Sequence, residues 1–167
     1  MSTKRTIVMD EATIRRKIER IAWEVYERHI EEDVIYLVGI TGTGYLLAEM
    51  LGASLRQINA PKTVLLELNM DKRNPLGEKS LLGEPKDLTN CSVVVVDDVL
   101  NSGSTLIYGV QHILEQEVKR CTTAVLIDRN HKRFPIKADV KGLSLSTSLQ
   151  EHVEVDLTST SPAAYLQ

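Results

Sequence analysis

The chain has 167 residues, 43% of them hydrophobic, and a formal net charge of −3. That is enough chain for one domain with a substantial core, its charge gives no overall nucleic-acid signal, and no apolar run approaches the roughly 20 residues that cross a bilayer. Residues 1–6 carry no apolar stretch of the secretory kind, so the expected location is the cytoplasm, away from membranes. The two cysteines, Cys91 and Cys121, are too few and too separated for a disulfide framework or a metal site and read as small core residues.

Asp10 is a helix cap, and Ile14, Ile18, Ile21 and Val25 follow at helical spacing, which predicts a helix over residues 11–31. The unbroken apolar run 34–38 predicts a buried strand. Gly39 to Gly44 form a turn, residues 45–57 a helix and 63–68 a second strand. Residues 69–90 are polar, with Asp71, Lys72, Arg73, Asn74, Pro75, Gly77, Gly83 and Pro85. A loop of that length is uncommon inside a compact domain and suits an active-site cover, which a weak hairpin would also allow. Residues 92–96 are the strongest strand, followed by a Gly-containing turn and a helical pattern at Leu106, Val110, Ile113 and Leu114. Residues 121–127 predict another buried strand, and 138–142 and 153–157 are short β-leaning pieces. Strands alternating with helices predict an α/β fold with a mostly parallel sheet, flanked by helices, in one domain over residues 1–167.

The chemistry concentrates between Val93 and Thr105. An apolar strand ends in two adjacent acids, Asp97 and Asp98, and a loop of small hydroxyl residues opens the next helix. Ligands of open α/β sheets bind beyond the carboxyl ends of strands. A helix N-terminus offers free N–H groups and the positive end of a dipole, which suits phosphate. Gly103 allows close backbone approach, and Ser102, Ser104 and Thr105 add hydroxyl donors. The acids repel phosphate but accept from sugar hydroxyls or face a Mg²⁺-bound ligand. A plain strand-turn-helix capped by Ser102 or Ser104 explains the hydroxyls, but not paired carboxylates after four valines. Gly39, Gly42 and Gly44 lack dinucleotide-fingerprint spacing, with Asn59 where an acid belongs. His29, His112, His131 and His152 are scattered, so no metal site is expected.

The run Val93-Val94-Val95-Val96-Asp97-Asp98-Val99-Leu100-Asn101-Ser102-Gly103-Ser104-Thr105-Leu106 resembles the phosphoribosyl-pyrophosphate motif of type I phosphoribosyltransferases. Within them the chain is similar to the bifunctional pyrimidine-operon attenuator and uracil phosphoribosyltransferase family. That likeness rests also on Asp10 to Arg16, Val38-Gly39-Ile40, Ile127 to Asp139, Ser146-Thr147-Ser148 and Val153-Glu154-Val155. It implies the type I fold with a small C-terminal hood, transfer of a phosphoribosyl group to a nucleobase (uracil in that family), substrate-bound Mg²⁺, and a homodimer or higher homo-oligomer. By position it implies catalytic roles for Asp97, Asp98 and Arg73, with Lys72 and Arg73 on the cover. Phosphoribosyl pyrophosphate would be held by Asp97, Asp98, Val99, Leu100, Asn101, Ser102, Gly103, Ser104 and Thr105, with Gly42 and Thr43 in the pyrophosphate loop, and the base by Arg129 and Val153.

The chain departs from that pattern where the family is basic: Thr41, Thr43, Ser104 and Leu143 each replace a lysine or arginine, which implies reduced activity. A second reading is a nucleotide-sensing attenuator of pyrimidine genes that binds RNA with little catalysis. Arg129, Lys132, Arg133 and Lys137, joined by Lys141, would then meet RNA phosphates, although Phe134 is the only aromatic among them.

Overall fold

A computed structural model describes residues 5–167. A six-stranded sheet carries β2 (Val34–Ile40), β3 (Lys62–Met70), β4 (Lys79–Leu82), β5 (Ser92–Leu100), β6 (Arg120–Asp128) and β7 (Val140–Ser144) in the order β4-β3-β2-β5-β6-β7. All pairs are parallel except β3 with β4. A second, antiparallel sheet has the order β1-β9-β8, from β1 (Thr6–Met9), β8 (Val153–Asp156) and β9 (Ala163–Leu166). The hood is thus built from both ends of the chain, and β1 and β9 were not anticipated from sequence.

Helices α1 (Glu11–Arg28), α2 (Thr43–Gln57) and α3 (Ser104–Ile113) cover the large sheet. Val94 and Val96 join the core under α1 and α2, while Val93 and Val95 pack with Leu106 and Ile113 of α3. A four-valine run suits β5 because both of its faces are buried. Cys91 and Cys121 are free and lie half-buried beside this second core.

Helix α1 is capped as expected, with the Asp10 carboxylate accepting from Thr13 N–H at 2.8 Å. It stops at Arg28 rather than residue 31. The buried His29 imidazole donates to Val25 O at 2.7 Å, and its own backbone N–H turns to Tyr26 O. The side chain takes the carbonyl on which the next helical bond depends.

Strand β5 also differs. It runs through Leu100, because Asp97, Val99 and Leu100 pair with Val125, Ile127 and Asp128 of β6. The acids therefore lie within the strand's last turn of pleat. The 69–90 region is a hairpin: Glu67 to Met70 pair with Leu82 to Lys79, and the intervening loop is pinned by Lys79 Nζ on Pro75 O at 2.7 Å.

Candidate functional site

The sheet order reverses direction between β2 and β5, so their carboxyl ends open a crevice, the usual ligand position in such sheets. From β2, Thr41 is tied down by its N–H and hydroxyl, both donating to Leu68 O at 3.0 and 2.9 Å. Gly42, at φ +85°, precedes α2 without a side-chain cap. Gly44 packs so closely on β5 that a Cβ there would lie 2.8 Å from Asp97 Oδ1.

Asp97 is 3% exposed. Its Oδ1 accepts from Asp98 N–H at 3.0 Å and from Lys72 Nζ at 2.8 Å, and the same ammonium lies 3.5 Å from Asp98 Oδ1. Burial and the Asp98 charge push the Asp97 carboxyl up to about 8, against the opposing pull of Lys72. Burial works to lower the Lys72 ammonium, but the two carboxylates outweigh it and raise it above the ordinary lysine value. Lys72, not Arg73, is therefore the cover-loop cation at the acids. Arg73 is exposed, and its backbone N–H turns back to Asp71.

The adjoining loop is shaped for an anion. Gly103 adopts φ +88°, and a Cβ there would lie 2.5 Å from Ile136 Cγ2. No side chain caps α3. Apart from a 3.3 Å bond from Ser104 N–H to Ser102 Oγ, its first-turn amides stay free for an outside acceptor. A cavity of ≈40 Å³ is lined by Asp97, Val125 and residues 99–106, well above the roughly 10–15 Å³ that one water needs. From behind, Arg133 and Phe134 N–H donate to Ser102 O at 2.7 and 3.2 Å.

The two residues expected at the base both have buried side chains. Val153 is buried, with its side chain in the core shared with α1 and α2. Arg129 is 7% exposed, and its guanidinium donates to Asn101 Oδ1, Thr147 Oγ1, Ser148 O and Glu151 O. Those bonds also remove it from the exposed basic group, which comprises Lys132, Arg133 and Lys137. Among the described residues no three His, Cys, Asp or Glu side chains converge as a metal site, and no helix is long and apolar enough to cross a membrane.

Residues 6–159 match the phosphoribosyl transferase domain. The chain is 37% identical over 165 residues to the bifunctional protein PyrR of Fusobacterium nucleatum, covering 94% of this chain and 93% of that one. It is 32% identical over 169 residues to a bifunctional protein PyrR of Bacillus cereus, with the same coverage. Among solved structures, the hypoxanthine phosphoribosyltransferase of Trypanosoma cruzi has a TM-score of 0.75 at 18% identity, over 84% of this chain and 81% of that one, a likeness of fold. A strand with paired acids near its carboxyl end, an anion-shaped loop at the sheet's switch point and these matches agree: the chain belongs to the phosphoribosyl transferase domain family.

Proposed function

We propose that this chain, acting as one domain in the cytoplasm, transfers the phosphoribosyl group of phosphoribosyl pyrophosphate to a nucleobase, with uracil the base implied by its resemblance. The observation that carries the reading is one continuous segment, Asp97 to Thr105, with one buried and one half-buried carboxyl at one end and uncapped helix amides at the other. The amides and hydroxyls of Ser102 to Thr105 take the 5-phosphate, and Asp97 and Asp98 take the ribose hydroxyls. Those hydroxyls displace Lys72, whose ammonium then stands at the mouth of the loop from Gly42 to Gly44, where the pyrophosphate leaves. Asp97 and Asp98 would also face any Mg²⁺ carried in with the substrate, which would supply further positive charge against the leaving group. Asp97 and Asp98 also offset the charge that grows on the ribose ring.

Steady-state assay of pyrophosphate release with uracil, cytosine and purine bases tests this. Nucleotide formation with a pyrimidine supports the reading, at a rate below the ordinary range of about 1 to 1,000 per second. Absence of product with every base, despite tight phosphoribosyl pyrophosphate binding, leaves the regulatory reading. That reading is favoured by Lys132, Arg133 and Lys137, three exposed cations on one segment. RNA affinity through them falls steeply with salt, and triple alanine substitution abolishes it. The functional unit is proposed to be a homodimer or higher homo-oligomer.

A further inference from the structure

Arg129 bridges the phosphate loop and the loop after β7. Its backbone N–H donates to Leu100 O at 3.0 Å, fixing its root at the end of β5. One arm of the guanidinium donates to Asn101 Oδ1 at 2.9 Å. The other side holds Thr147 Oγ1 through Nε and Nη2 at 3.1 and 2.8 Å, with Ser148 O at 3.2 Å and Glu151 O at 2.5 Å. Residues 145–152 have no helix or strand of their own. Apart from Arg129 and the packing of Leu145 on the core, few hydrogen bonds hold them: Leu145 N–H on Asp128 O, His131 on Thr147, the terminal His152–Gln167 pair, and the loop's own Ser148–Glu151 bonds. A planar fork at 7% exposure, joining two loops that make no other mutual bond, is an arrangement a lysine cannot reproduce.

We propose that Arg129 is a positioning residue that couples the two halves of the site, so that occupancy of the phosphate loop sets the loop 145–151 for the base. This rests on the function proposed above and assigns the base to the side of the crevice closed by that loop, which leaves the carboxyl end of β7 and bonds Asp128 at the end of β6. When an anion fixes the Asn101 backbone, the amide side chain is fixed with it, and the guanidinium plane carries that orientation to Thr147, Ser148 and Glu151. Ordering is contributed once and felt by both ligands, which is positive coupling.

The experiment measures uracil affinity by calorimetry with and without saturating ribose 5-phosphate, and takes the ratio. In the wild type the ratio is expected to be about tenfold, within the usual 5- to 150-fold range for coupled sites. Arg129→Lys keeps the charge but loses the fork. Asn101→Ala cuts only the phosphate-loop end and leaves Arg129 in place, so its result stands whatever the first substitution does to folding. In each the ratio is expected to fall below about threefold, with no further fall in the double variant, because both lie on one link. A role confined to holding the loop together changes uracil affinity but leaves the ratio as it was. A wild-type ratio of one, or a ratio that survives Asn101→Ala, overturns the coupling while leaving the proposed function intact. Failure of the wild type to bind either probe overturns both.

Discussion

Replacing Gly103 with alanine tests whether the phosphate loop is shaped by backbone necessity. At φ +88° an L-residue meets its own carbonyl, which costs roughly 1–2 kcal/mol. The added methyl would also lie 2.5 Å from Ile136 Cγ2 and 3.5 Å from Phe134 O, an overpacking that typically costs about 1–3 kcal/mol. The sum, about 2–5 kcal/mol, is a large share of a domain stability of roughly 5–15 kcal/mol. Urea denaturation of Gly103→Ala should show that loss, and ribose 5-phosphate affinity should fall more than about tenfold as the first amides of α3 are re-aimed. The two contributions separate in a second variant. Ile136→Leu removes the offending branch at nearly constant volume, so added to Gly103→Ala it should restore the steric part and leave the backbone part. A stability change below about 0.5 kcal/mol, the level of an ordinary surface substitution, would refute the reasoning. So would full recovery through Ile136→Leu, since it would mean that φ +88° carries no strain.

Asp97 and His29 give opposite pH dependences. The folded Asp97 carboxyl is raised from 3.8 to about 8, so it stabilises the fold below pH 3.8 and that contribution is lost as pH rises toward 8. Asp97→Asn should therefore be the more stable protein above pH 8, by about 0.5–2 kcal/mol, while losing affinity for ribose-bearing ligands; equal stability at pH 5 and pH 9 relative to wild type would count against it. His29 is lowered from 6.5, chiefly by burial, so its contribution is present above pH 6.5 and lost as pH falls through the folded value. His29→Gln should flatten the fall in urea midpoint between pH 7.5 and 5.5, and an unchanged slope would show the imidazole to be irrelevant to it. Thr43→Arg should raise turnover by up to about a hundredfold through a cation at the pyrophosphate. It is a cleaner test than Thr41→Lys, because the Thr41 hydroxyl bonds Leu68 O; an unaltered rate would place the leaving group elsewhere.

The parts of the molecule legible in sequence are those whose causes are local. Four valines, two acids and a Gly-containing hydroxyl loop lie within one strand-turn-helix, and the structure assembles them in that order. The hood was half legible. β8 alternates buried and half-buried residues in a way its composition shows, but β1 and β9 are four residues each and pair across nearly the whole chain, so neither carries a period of its own. Lys72 reaches Asp97 across 25 positions of sequence, and only the β3–β4 hairpin brings it there. Arg129 misled because it stands in a run with Asn130, His131, Lys132 and Arg133, which reads as a solvated basic stretch. Its burial depends on residues 147–151 folding over it, and nothing in the run itself encodes that.

Charge accounting around β5 explains why Lys72 matters more than its place on an exposed loop suggests. Two adjacent carboxylates, one of them buried, need a counter-charge that the threonines at 41 and 43 do not supply. The Lys72 ammonium supplies it at 2.8 and 3.5 Å. Under the function proposed above, a sugar that donates its hydroxyls to those carboxylates would satisfy them by hydrogen bonds instead and release the ammonium beside the loop proposed for the pyrophosphate. One cation would then serve the resting site and the departing group in turn, and the two uses would exclude each other. Under the function proposed here, Lys72→Met should therefore cost the resting protein little at pH 7, because Asp97 can hold a proton instead, yet lower turnover by about a hundredfold, the usual loss for one fixed stabiliser of a developing charge. A variant with normal turnover but lowered stability would place Lys72 with the fold and outside the reaction.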